Sequence, residues 1–156
     1  MTIERKTLSE QHYLFVERES SMSGPEIADA MGSGFGEVFG FNAQKGIAPI
    51  SMPMAIYMEM PSGDKMAFRV GVFVSPEDAA KAEGNIKSAT MPAGDALMMT
   101  HVGPYATLNV SHKALWDHMT NEGLPQAMPV WEIYVDDPTT VSENKLRTEI
   151  YRAIGS

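Results

Sequence analysis

The sequence predicts an α+β fold, in which duplicated strand–helix–strand–strand units form an antiparallel sheet with two helices on one face and a ligand groove on the other. A Gly-Pro dipeptide opens a helical pattern twice, at Gly24-Pro25 and at Gly103-Pro104. A proline-led apolar strand follows each helix, at residues 53–58 and 129–135. With 156 residues, we expect a single domain with pseudo-repeats at about residues 10–75 and 95–155.

Both predicted helices have a recognisable start and end. Proline is tolerated in a first helical turn because its missing N–H would have no partner there. Gly46 and Gly123 suit the left-handed conformation that ends many helices. Apolar residues recur at helical spacing in the first helix and less regularly in the second, at Ile27, Met31, Phe35, Val38 and Phe39 and at Leu108, Leu115, Trp116 and Met119.

Each helix is preceded by one predicted strand and followed by two. The preceding strands are expected at residues 13–16 and 96–100. The later strands are expected at 53–58 and 67–74 in the first half, and at 129–135 and 148–154 in the second. A polar stretch and a short strand at residues 86–88 join the halves.

Glu132 is the one acid within an otherwise apolar and aromatic strand. Alternate residues of a strand face opposite sides of its sheet, so we expect the side of Ile56 and Ile133 to face the helices. Aligning the Ile-Tyr pairs of the two halves then places six residues in the groove: Glu132, Tyr134, Ala55, Tyr57, Gly71 and Tyr151. An acid among tyrosines suits a flat or cationic ligand, and the alternative is a charge on a solvated face.

Composition narrows the classes of function. The net charge of −8 argues against non-specific binding of nucleic acid, which needs a basic surface. The absence of cysteine excludes disulfides and thiolate chemistry, and the four histidines lack the spacing of a zinc pair. We therefore expect no metal and no cofactor. No apolar stretch reaches the length of a membrane span and no signal peptide is evident, so a cytoplasmic location is expected.

Thirteen methionines are many for this length, and core filling is the expected role for most of them. The run Met52, Met54, Met58 and Met60 is the alternative candidate for an adaptable binding surface.

Five motifs resemble those of one family. They are Gly84-Asn85-Ile86-Lys87, Met91-Pro92-Ala93-Gly94, Thr100-His101-Val102-Gly103-Pro104-Tyr105, Trp131-Glu132-Ile133-Tyr134 and Thr148-Glu149-Ile150-Tyr151. Together they resemble the GyrI-like small-molecule-binding domain, the effector-binding module of multidrug-responsive transcription regulators, which also occurs alone. The resemblance covers nearly the whole chain. Regulators of this family carry an N-terminal DNA-binding region, for which residues 1–20 leave no room, so no direct contact with nucleic acid is expected.

The resemblance implies that Glu132 is the pocket acid and that Tyr105 and Tyr151 are aromatic wall residues. The first expectation is a stand-alone protein that binds small amphipathic, aromatic or cationic molecules. Some stand-alone members hydrolyse strained cyclopropane rings, so the second expectation is a hydrolase in which Glu132 activates water and Tyr151 or Tyr105 is its hydroxyl partner. The third is an inhibitor that contacts a protein partner such as DNA gyrase.

Overall fold

The computed structural model describes residues 2–155, which form two compact units. The first unit comprises residues 9–93, and the second comprises residues 2–8 together with residues 94–155. Within residues 2–155, no helix combines the length and the apolar character needed to cross a membrane.

In chain order the elements are β1 (Ile3–Leu8), β2 (Gln11–Ser21), α1 (Gly24–Lys45), β3 (Met54–Tyr57), β4 (Lys65–Val74), α2 (Pro76–Ala79), β5 (Lys87–Met91), β6 (Gly94–Val102), α3 (Leu108–Asn121), β7 (Gln126–Tyr134) and β8 (Arg147–Ile154). Single turns of 3₁₀ helix precede α3 and β8, at Tyr105–Thr107 and Glu143–Lys145. The α+β class with antiparallel strands is confirmed, and so are both long helices.

The first unit has four antiparallel strands in the order β3-β4-β2-β5. Helix α1 packs on one face of this sheet, against a core that includes Leu14, Val16, Val70 and Val72. Burial of this aliphatic surface supplies the main stabilising term of the unit.

The second unit has four antiparallel strands in the order β1-β6-β8-β7. Helix α3 packs on one face, where Leu115 and Met119 meet Leu97, Met99 and Ile150. Strand β1 was not expected from the sequence, because its charged residues outnumber its apolar ones. It is an edge strand, where charged side chains remain in water.

The orientation expected for Glu132 is wrong. In the register of β7 and β8, Glu132 is paired with Ile150, and Trp131 is paired with Tyr151. Ile150 belongs to the core beneath α3, so Glu132 faces the helix. The period of two in the strand correctly separates Trp131 from Glu132, but by itself it does not say which set faces inward.

The same correction applies to the aligned residues of the first unit. Ala55 is paired with Val70, so it faces α1, and Tyr57 on the same side packs against the core beneath α1. Ile56 and Gly71 lie on the opposite face. Of the methionine run, Met54 is fully buried, whereas Met52, Met58 and Met60 are exposed.

The neighbouring strand β2 leaves no room for a side chain at Gly71. A Cβ atom added there would lie 2.0 Å from the backbone oxygen of Leu14. We expect Gly71→Ala to lower the free energy of unfolding by about 2 kcal/mol or more, because the backbone of β2 must shift. A Cβ atom added at Gly36 in α1 would meet nothing within 4 Å, so Gly36→Ala should instead raise stability by about 0.5–1 kcal/mol. Urea denaturation measures both, and equal effects would contradict the packing account.

Candidate functional site

The carboxylate of Glu132 is enclosed between β7 and α3, with the residue 4% exposed. The hydroxyl of Tyr134 donates a hydrogen bond to Oε1 at 2.7 Å. The Nε2 atom of His112, on α3, lies 2.5 Å from Oε2 and forms the second hydrogen bond. A buried carboxylate is costly unless it is hydrogen-bonded, so these two contacts permit a charge to remain within the fold.

Tyr105 connects this acid with the surface. Its ring contacts that of Tyr134 edge to face, with the centroids 5.5 Å apart. Partial burial raises the pKa of Tyr105, and the negative charges of Asp136, Asp137 and Glu132 add to the effect. Tyr105 also borders a surface depression of about 370 Å³, whose other lining residues are Ala106, Pro138, Glu143 and Leu146.

The turn that carries Tyr105 is held by His101, a buried residue on β6. Its Nδ1 atom lies 2.7 Å from the hydroxyl of Ser111, on α3. Its Nε2 atom lies 3.1 Å from the carbonyl oxygen of Pro104 and 3.2 Å from the hydroxyl of Thr107. His101 therefore ties the start of α3 to the sheet and fixes the position of Tyr105.

Tyr151 does not share the face of Glu132. Its ring stacks on Trp131, with the centroids 5.0 Å apart and the planes at 1°. Its hydroxyl donates to Glu149 at 3.1 Å, and burial together with the Glu149 charge raises the pKa of Tyr151. The expected pairing of Glu132 with the Tyr151 hydroxyl is therefore wrong, because the sheet separates them. The role of Tyr151 as a ligand contact stays a prediction.

The structure thus brings together Glu132, Tyr134 and Tyr105 from the predicted set. Ala55, Tyr57 and Gly71 belong to the first unit, and their contribution to a ligand site stays a prediction. In residues 2–155 no three His, Asp or Glu side chains are grouped so as to hold a metal ion.

Two residues of this face were missed from the sequence. His112 falls within the helical stripe of Leu108, Leu115 and Met119, and that position indicated a side chain turned towards the sheet. Arg152 lies two residues after Ile150 in β8 and so shares its face.

Comparisons with known proteins agree with this architecture. The family model described as the GyrI-like small molecule binding domain matches residues 1–154. No curated protein matches the chain.

Three solved proteins are similar in fold. The C-terminal domain of EcmrR has a TM-score of 0.80 at 18% identity, over 99% of this chain and 98% of that domain. In the EcmrR-DNA complex the chain spans only 57% of the EcmrR chain, at 17% identity and a TM-score of 0.80. SAV2435 bound to tetraphenylphosphonium has a TM-score of 0.66 at 13% identity, over 100% and 95% of the two chains. A hydrolase from Listeria innocua has a TM-score of 0.65 at 16% identity, over 98% and 91%.

The hydrogen bond from Tyr134 to Glu132 should be measurable as stability. Tyr134→Phe removes the donor and leaves a buried carboxylate oxygen with weaker compensation, so we expect the free energy of unfolding to fall by about 1–3 kcal/mol. Tyr105→Phe is the matched control, because Tyr105 is 37% exposed, and its effect should be within about 0.5 kcal/mol. A smaller loss for Tyr134→Phe than for Tyr105→Phe in urea denaturation would count against this geometry.

Proposed function

The chain belongs to the GyrI-like small molecule binding domain family. We propose that it binds small amphipathic or aromatic cations, with Glu132 as their counter-charge. The enclosed carboxylate of Glu132 carries this proposal. A negative charge between a sheet and a helix acts through a lower effective dielectric constant than one in water, so it attracts a cation more strongly.

The groups around Glu132 suit a cation with an apolar body. Tyr134 and Tyr105 form a pair of aromatic rings, and rings of this kind attract cations through their faces. Tyr105 is partly exposed and borders the surface depression, which gives an approach to the pair from solvent.

His112 occupies the position that the ligand cation would take. Its imidazole bonds Oε2 of Glu132 while its side chain remains 22% exposed. Rotation of this one side chain towards solvent breaks its hydrogen bond to Oε2, and Tyr134 continues to hold Oε1. An incoming cation therefore replaces His112 and leaves the hydrogen bond from Tyr134 in place.

The bound state of a relative supports the class of ligand. SAV2435 is bound to tetraphenylphosphonium, which is a large aromatic cation without hydrogen-bond donors. For such a compound, recognition rests on a counter-charge and apolar contacts, and both are available beneath α3 in this chain.

Calorimetric titration with tetraphenylphosphonium tests the role of Glu132. We expect Glu132→Gln to weaken binding about 10-fold to 100-fold, because it removes the counter-charge while it preserves the shape. Triphenylphosphine oxide is the uncharged comparison, and its affinity should change less than about threefold.

Glu149→Gln is the matched control variant for this titration. Glu149 is a second acid of the same sheet, on the opposite face, where it accepts a hydrogen bond from Tyr151. It should leave the affinity for tetraphenylphosphonium within about threefold of the wild type. Equal losses in the two variants, or none in Glu132→Gln, would refute the assignment of Glu132.

A hydrolase is the second candidate, favoured by the hydrogen bond between Glu132 and His112. A carboxylate that orients an imidazole and stabilises its protonated form makes that imidazole an effective general base. His112 would take a proton from water as the water oxygen bonds to a strained electrophilic ring carbon and the ring bond from that carbon breaks, with its electron pair leaving on the departing group. His112 would then return the proton to that departing group, which in an epoxide is the ring oxygen. The Listeria innocua neighbour that is described as a hydrolase is consistent with this class.

His112→Ala separates the two candidates. For a binder, removal of the competing imidazole should leave affinity for tetraphenylphosphonium unchanged or higher. For a hydrolase, the same variant should lose turnover while binding persists. Styrene oxide serves as the strained-ring probe, with diol formation followed by chromatography against buffer alone. Diol formation no faster than in buffer would contradict hydrolysis of strained rings by this site.

A further inference from the structure

Arg152 is a buried cation that has no carboxylate partner among residues 2–155. The residue is 7% exposed, and its guanidinium carbon lies 4.8 Å from the centre of the Trp116 ring. Its Nε atom is buried and has no hydrogen-bond partner among residues 2–155. The stack on Trp116 compensates only part of the hydration that the guanidinium has lost, because a ring face accepts no strong hydrogen bond.

Arg152 lies beside Glu132 on the face that α3 covers. Val130 is paired with Arg152, and Glu132 is paired with Ile150. Glu132 and Arg152 are therefore diagonal neighbours on adjacent strands, a relation in which residues are about 7–8 Å apart. The negative charge of Glu132 and the positive charge of Arg152 thus lie a short distance apart on one face of the sheet.

One helix face covers both charges. His112 bonds Glu132 and Trp116 stacks on Arg152, and the two are four residues apart on α3, which places them side by side. Both side chains reach solvent: the His112 side chain is 22% exposed and Trp116 is 39% exposed. Neither belongs to the core cluster to which α3 contributes Leu115 and Met119.

A further polar atom on this face also lacks a partner. The hydroxyl of Thr148 is fully buried and has no hydrogen-bond partner among the described residues. Thr148 lies on β8 two residues before Ile150, and Arg152 lies two residues after it, so all three share one face. Ile150 is the residue paired with Glu132. Among the described residues of the second unit, the buried side-chain atoms without a hydrogen-bond partner thus belong to Thr148 and Arg152, which flank Ile150 on this face.

We propose that Arg152 is an anion subsite and that the site beneath α3 takes zwitterionic aromatic molecules, whose cation meets Glu132 and whose oxyanion meets Arg152. This inference rests on the proposed function, because it assigns the other end of the same ligand. A planar guanidinium offers paired N–H donors to a carboxylate or another oxyanion, and Trp116 offers a flat surface for the ring that carries it.

Two dyes test this inference directly. Rhodamine 110 carries a delocalised cation and a free carboxylate, and rhodamine 123 is its methyl ester, in which the carboxylate is blocked. We expect the wild-type protein to bind rhodamine 110 at least about 10-fold more tightly than rhodamine 123, measured by fluorescence anisotropy at neutral pH. A wild-type ratio of one or less overturns the anion subsite.

Variants locate the preference. Arg152→Gln should bring the ratio of the two affinities close to one, with the affinity for rhodamine 123 unchanged, whereas Glu132→Gln should weaken both dyes. Arg147→Gln is the matched control, because it removes an exposed arginine of the same strand that is paired with Asp136, and it should keep the wild-type ratio. A preference that survives in Arg152→Gln overturns the inference.

A conservative variant guards against a loss of folding. If circular dichroism shows that Arg152→Gln is unfolded, Arg152→Lys replaces it. Arg152→Lys retains a charge but not the planar fork, so it should keep a reduced preference for rhodamine 110, and an undiminished preference would overturn the role of the fork. Binding of rhodamine 123 through Glu132 with no preference for rhodamine 110 refutes only the anion subsite. Binding of neither dye refutes the proposed function as well.

Discussion

The buried carboxylate of Glu132 constrains which side chains can surround it in the second unit. A charge in this position requires hydrogen bonds, and the structure supplies one from its own strand and one from the helix, through Tyr134 and His112. The bond to His112 joins β7 to α3, so the face of β7 that carries the acid is also the face that the helix covers. This contact encloses the acid together with the packing of Leu115 and Met119 on the sheet, while His101 fixes the turn that carries Tyr105.

The two units solve the same packing problem with different residues. The core cluster beneath α1 is hydrophobic, and Ala55 faces the helix in the first unit as Glu132 does in the second. The fold of a unit therefore does not need an acid at this position. Glu132 and Arg152 are costly to bury, and a core of similar volume without charges would be at least as stable. The ligand interactions proposed for these two residues would account for their presence beneath α3.

The sequence predicted the class of the fold and most of its elements, because these depend on local patterns. Gly24-Pro25 and Gly46 marked the two ends of α1, and the apolar runs marked the strands. The sheet face on which Glu132 lies could not be predicted from such patterns. It depends on which face of β8 packs against α3, and that is the face of Ile150. The contact between His112 and Glu132 joins residues 20 positions apart in the chain, and no local pattern encodes such a pair.

The edge strand β1 has a consequence for how the second unit is made. Its partner β6 begins at Gly94, so a ribosome must add more than eighty residues after β1 before that pairing can form. During this interval the strand has a charged, sparsely apolar sequence, which keeps an unpaired segment soluble. The second unit is built from two separate segments of the sequence. A fragment that starts at Gly94 would lack β1 and would leave β6 as an unpaired edge strand. Closure of this unit is thus a late, long-range event in biosynthesis, which favours slow completion over early folding.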